Sequence, residues 1–240
     1  MKPILFFLGL MALSCSSCRW MNYKQIKGNG VMRSESRSIS HAQRIKLEGS
    51  YDVEITQGPA TSLKVEADEN ILPYILTAEE NGYLRIRSKD HVSISSANNI
   101  KVFITTDKLE ELHLSGSGNI IGKNKFTAGN KLTLKIAGSG DINMEVNTPD
   151  ITADITGSGT ITLKGETKNQ TVHISGVGDY NADELKAESA KIKIAGSGNV
   201  KVFADMNLDV SIAGVGSVYY KGNPTIKQHV AGSGEVKKIE

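Results

Sequence analysis

The sequence predicts an all-β chain wound as a right-handed parallel β-helix, a solenoid with about 18–22 residues per turn. Three observations carry that expectation. A strand–Gly–x–Gly–strand phrase occurs seven times, and the residues flanking it alternate apolar and polar, column for column. The composition is rich in glycine, 24 of 240 residues, and poor in aromatics at 5%, which suits thin regular layers better than a bulky core.

The phrase is "LHLSGSGNI" at residues 112–120 and returns as "LKIAGSGDI", "ADITGSGTI", "VHISGVGDY", "IKIAGSGNV", "VSIAGVGSV" and "QHVAGSGEV". Its glycine pairs are Gly116 and Gly118, Gly138 and Gly140, Gly157 and Gly159, Gly176 and Gly178, Gly196 and Gly198, Gly214 and Gly216, and Gly232 and Gly234. The first glycines are 22, 19, 19, 20, 18 and 18 residues apart, a drifting period that turns of a solenoid absorb. Two positions before each pair stand Leu114, Ile136, Ile155, Ile174, Ile194, Ile212 and Val230. One position nearer the N-terminus the column is polar: His113, Lys135, Asp154, His173, Lys193, Ser211 and His229. Period-two alternation means a strand with one buried face. Strands that repeat in register stack as parallel rungs about 4.8 Å apart, and right-handed crossover is the default for parallel strands. The glycine pair is then a structural corner, because glycine tolerates both unusual backbone angles and close approach of neighbouring rungs.

In chain order, residues 1–18 read as a signal and anchor. Lys2 precedes the apolar run Ile4 to Leu13, and "ALSCSSC" follows, the arrangement of a secretory signal. That run is about half of what a membrane-spanning helix needs. A cysteine at the cleavage point resembles a bacterial lipobox, with Cys15 favoured as the acylated residue and Cys18 as the alternative. Otherwise the protein is soluble and exported, and both cysteines leave with the signal. Residues 19–40 read as a polar tether, and residues 41–240 as one β-helix domain. Within it, "LEGSYDVEI" at 47–55 looks like a degenerate copy of the phrase, with Tyr51 in place of the second glycine. "SLKVEA", "GYLRIRS" and "IKVFITT" read as further strands, and residues 68–82, interrupted by Pro73, as a short helix or loop covering the open end. The charged finish "EVKKIE" blunts the other end.

The repeated G-S-G-[ND]-[IV] phrase, the signal with its cysteine and the β-repeat body of about 200 residues together resemble the head GIN domain family, over residues 40–235. That resemblance implies a right-handed parallel β-helix of the pectin-lyase-like kind in a Bacteroidetes-type envelope lipoprotein, and a role in adhesion. It supplies no catalytic residues to carry over.

Few residues suggest chemistry. His113, His173 and His229 share a column, but other residues separate them and three rungs put them about 14 Å apart, too far for one metal. Asp141 and Asp179 lie two rungs apart, about 10 Å, a separation that suits an inverting glycosidase. Their column, Asn119, Asp141, Thr160, Asp179, Asn199, Ser217 and Glu235, is equally that of turn residues bonding local backbone. Only two Asp in seven copies disfavour a calcium roll. No phosphate-binding loop, nucleophile elbow or zinc signature occurs. Catalytic, cofactor and metal residues are therefore expected to be none. The net charge of +2 recommends no nucleic acid. The expected function is a non-enzymatic adhesin of the cell envelope, exported, touching the membrane only through its lipid and presenting a rigid surface to a glycan or protein. A carbohydrate-binding or carbohydrate-active β-helix is the alternative, with Tyr180, Tyr219 and Tyr220 as candidate stacking residues although Tyr180 falls in an inward column. A structural envelope scaffold is the third reading.

Overall fold

The computed structural model describes residues 24–96, 98–127 and 129–240. Chain order begins with β1 (Lys24–Lys27), β2 (Met32–Arg37), β3 (Arg44–Glu48), β4 (Asp52–Gln57) and β5 (Ser62–Asp68). A 3-10 turn at Leu72–Tyr74 leads into β6 (Ile75–Glu80), β7 (Tyr83–Ser88), β8 (Val92–Ser95) and β9 (Lys101–Thr106). The repeats follow as β10 (Glu111–Gly116), β11 (Asn119–Thr127), β12 (Lys131–Gly138), β13 (Asp141–Gly157), β14 (Thr160–Gly176) and β15 (Asp179–Gly196). The stack finishes with β16 (Val200–Phe203), β17 (Asn207–Gly214), β18 (Val218–Lys221), β19 (Thr225–Gly232) and β20 (Val236–Lys238).

Each repeat supplies one strand to each of two faces, and the whole is a β-solenoid of about 7 turns. Residues leading into a glycine pair form face A, and residues leaving it form face B. The three long strands continue through the bend opposite the glycines and so contribute to both faces. Register is kept column by column: Gly138, Gly157, Gly176, Gly196, Gly214 and Gly232 stand opposite one another through successive parallel pairings. The interior is two rows deep. Ile136, Ile155, Ile174, Ile194 and Ile212 are buried on face A, and Ile142, Ile161, Val200 and Val218 on face B. Tyr180 fills the same inner column and is wholly buried. Its hydroxyl donates to Gln170 Oε1 at 3.1 Å, and Gln170 Nε2 donates to the Phe203 carbonyl at 3.0 Å, so the polar atoms of these two buried side chains are paired.

Space and sequence part company at the N-terminal end. On face A the order is β6, β7, β3, β10, β12, so β7 precedes β3 in the stack although it follows it in the chain. On face B the order is β2, β5, β9, β4, β11. The end strands run antiparallel: β6 to β7, β2 to β5, and β5 to β9. Antiparallel strands therefore finish the parallel stack, and the two-stranded β1–β8 sheet lies beside them.

Two expectations need correction. The segment 19–40 is not all tether, since β1 and β2 lie within it. β1 pairs with β8, and β2 with β5, through backbone bonds that a polar strand makes as well as an apolar one. The helix within residues 68–82 is only a three-residue 3-10 turn; β6 occupies Ile75–Glu80 of the same span and folds onto β7 through Asn81 (φ 52°) and Gly82 (φ 78°). Two consecutive positive φ angles make the tight hairpin turn that Asn-Gly favours. The signal and the cysteines Cys15 and Cys18 lie outside the described residues.

Candidate binding surface

The corner edge is built by backbone. Gly176 has φ +126°, and a Cβ there would sit 2.5 Å from the Gly157 carbonyl oxygen of the preceding rung. From the second corner onward the central residue donates its N–H to that rung, as Val177 does to Gly157 O at 2.9 Å and Ser197 to Gly176 O at 2.8 Å. Those donors are spent within the stack, so the corner is no cradle for a phosphate. The carboxylates beside it are used in the same way. Asp141 Oδ1 accepts from the Thr160 N–H at 2.9 Å, and Asp179 Oδ1 from the Asn199 N–H at 2.9 Å. Each aspartate clamps its own neighbouring rung, and no contact brings the two together.

The histidine column lies outward on face A. His173 Nδ1 is 2.9 Å from Asp154 Oδ1, and His229 is exposed on the last turn. His113 stands between Lys46 and Lys135 on adjacent rungs. Burial, with those two ammonium groups, holds its imidazole below the ordinary value. Among the described residues no group of three or more His, Cys, Asp or Glu is placed to hold a metal ion.

The N-terminal half of face A is a closed ionic network. Glu111 accepts from Tyr83 at 2.8 Å, Lys135 at 2.9 Å and Arg44 at 3.2 Å. Arg44 also stacks on the Tyr83 ring, 4.0 Å from its centroid, and hydrogen-bonds its hydroxyl. Arg85 grips Glu48 with two bonds, 3.1 and 2.8 Å, and reaches Glu80 at 3.0 Å; Lys46 adds a second cation to Glu48. Burial pushes the Glu111 carboxyl up, but the hydrogen bonds from Lys135 and Tyr83 outweigh it and hold it below the usual range. Arg85 does the same for Glu48 against a smaller burial effect. The charges surround a shallow cleft of about 320 Å³ between Lys46, Arg85, Glu111 and Lys135. The sequence concealed this network, because β7 and β3 are not expected to be neighbours.

These directions fix an acid response. The His113 imidazole is held below the ordinary histidine value of 6.5, so as pH falls through about that value the unfolded chain takes up the proton first and stability declines. Glu48 and Glu111 are depressed below 4.5, so their contribution is complete above that value and is lost as pH falls through it towards their folded values. Melting temperature should therefore fall in two stages on acidification. His113→Gln should flatten the upper stage alone; an unchanged upper stage would show that His113 does not carry it.

The C-terminal half of the same face is different. Lys191, Lys193 and Lys227 are exposed there, on rungs flanked by small Ala195, Ala213 and Ala231. Among the described residues none of these three lysines has an ion-pair partner, in contrast to Arg44, Lys46, Arg85 and Lys135 in the first half. The tyrosines form no stacking platform. Tyr180 is interior, Tyr219 donates to Glu235 at 3.3 Å, and Tyr220 packs against the core. A different cleft, of about 370 Å³, opens where Tyr51 replaces the second corner glycine, with Ser50, Ser88, Asn99, Ile94 and Ile100 around it. Its lining carries no charged side chain.

Comparison with known proteins agrees with this architecture. A family described as "Putative auto-transporter adhesin, head GIN domain" matches residues 42–224. A crystal structure of a putative adhesin from Bacteroides fragilis superposes with a TM-score of 0.83 at 23% identity, covering 89% of this chain and 100% of the other. A putative lipid binding protein from Parabacteroides distasonis gives 0.76 at 28% identity, covering 90% and 100%. A putative adhesin from Parabacteroides merdae gives 0.70 at 25%, covering 90% and 99%. No curated protein matches.

Proposed function

The chain belongs to the head GIN domain family of putative auto-transporter adhesins, and on that premise we propose that it is a non-enzymatic adhesin of the cell envelope. It is exported, held at the membrane by lipid on Cys15 or Cys18, and presents the C-terminal half of face A to a partner on another cell or matrix. The observation that carries this reading is the contrast within one face: Arg44, Lys46, Arg85 and Lys135 are held by Glu48, Glu80 and Glu111 in the first half, whereas among the described residues Lys191, Lys193 and Lys227 have no ion-pair partner in the second, even with Asp209 in register between Lys191 and Lys227. Exposed charges steer and select partners when they are not already compensated. The partner it fits is an acidic glycan or protein surface.

Adhesion of cells to purified protein tests this. Lys191→Glu, Lys193→Glu and Lys227→Glu combined should lower binding roughly tenfold or more, through like-charge repulsion, with folding stability changed by only about 0.5 kcal/mol per site. Full adhesion by that variant would sink the reading. The cleft beside Tyr51 supports a second one, binding of a neutral saccharide over an apolar floor with hydroxyl and amide rims. A neutral oligosaccharide that blocks the parent and the lysine variant equally would favour it.

A further inference from the structure

We propose that the N-terminal cap of the solenoid docks on the bilayer that anchors it, so that the last rungs point away from the membrane. The proposal rests on the lipoprotein reading above and adds a protein–lipid contact to the lipid anchor. The first argument is reach. With β1 beginning at Lys24, only nine residue steps separate it from Cys15, about 30 Å of fully extended chain, and six steps, about 20 Å, from Cys18. Face A from β6 to β19 holds ten strands, about 43 Å at 4.8 Å per step. A 22-residue tether would have left the domain free; this one keeps the capped end at the surface.

The second argument is the chemistry of that end. Among the described residues β2 pairs only with β5, so its other edge is the outer limit of face B. At its start Val31 is 48% and Met32 44% exposed, two of the few large apolar side chains that the surface leaves open. They lie four and five residues after the exposed Lys27, and Lys24 on the same strand stands 5.7 Å from the centroid of the Tyr74 ring. Of the nearby acids, Glu69 is held by Arg33 at 2.7 Å and Glu35 by Arg37 at 3.4 Å. Among the described residues neither Lys24 nor Lys27 has an ion-pair partner. Exposed apolar side chains at the same end of the stack as unpaired lysines fit the headgroup boundary of an anionic membrane, and an acyl anchor gains firm attachment from such a second contact. The opposite end also offers an exposed apolar residue, Ile226, with Lys227, Lys237 and Lys238, but it has no comparable tie to the anchor.

Full-length acylated protein in vesicles of phosphatidylethanolamine and phosphatidylglycerol tests the proposal. Palmitate labelling first shows which of Cys15 and Cys18 is modified, and the other is replaced by serine. A fluorophore is then placed at Met32→Cys or at Ser233→Cys, with a quencher in the lipid phase. Quenching should be several-fold stronger at position 32, and Lys24→Glu with Lys27→Glu should reduce it. Acylation with equal quenching at both positions overturns docking and leaves the lipoprotein reading standing. Acylation at neither cysteine removes both.

Discussion

Ile174→Asp should leave no cooperatively folded protein. Ile174 is 2% exposed in the middle of the stack, with Ile155 opposite it on one side and Ile194 on the other. Its Cγ2 lies 2.8 Å from where a Cβ would stand on Gly198, so the methyl occupies the space that the missing side chain leaves. An aspartate there would empty that space and place a carboxylate among aliphatic columns. An uncompensated buried charge costs about 3–5 kcal/mol, and the lost packing adds about 2 or more. Against a total stability of roughly 5–15 kcal/mol that is decisive. Ile174→Val, removing one methyl group, should cost only about 1 kcal/mol. Circular dichroism melts of both variants check this, and an unchanged curve for the aspartate variant would refute the assignment of the interior column.

Gly176→Val comes next in size. The backbone at φ +126° is closed to β-branched residues, and the new Cβ would strike the Gly157 carbonyl oxygen, which already accepts the Val177 N–H. Strain of about 1–3 kcal/mol and overpacking of similar size combine to about 3 kcal/mol or more. His173→Ala on the same rung loses one bond between half-exposed side chains, with Asp154, and should stay within about 0.5–1 kcal/mol. Denaturant melts of the two separate the possibilities. If His173→Ala is the damaging change and Gly176→Val is silent, the corner is a site and not a support.

Much of this was legible before any coordinates. The inward residues from Leu112 to Val218 are recognisable because strand alternation has period two and each copy repeats it in phase, so side-chain chemistry alone names the buried face. Tyr51 in place of a corner glycine was legible for the same reason, and Gly49, with φ +141°, stands in the same register of corners. The Asn81-Gly82 turn was also present as a signal, between "ILTAEE" and "YLRIRS", but the helix-like texture around Pro73 obscured it. β2, "MRSESR", gave no signal at all. It is an exposed edge strand held by backbone bonds to β5, and such bonds leave no pattern in side chains.

By itself, then, the sequence determined the solenoid, its period and its inner columns, because burial selects residue type at every rung. Only the tertiary structure decided the order of the first rungs and the antiparallel cap. It also decided which charges on face A are paired. Lys135 and Lys193 occupy the same column and are equivalent in the sequence. Lys135 meets Glu111 across the β10–β12 step that the repeat itself implies, but Arg85 meets Glu48, and Tyr83 meets Arg44 and Glu111, only because β7 inserts before β3. Charge pairing depends on distances between rungs that are remote in the chain, and those distances are set by how the strands stack.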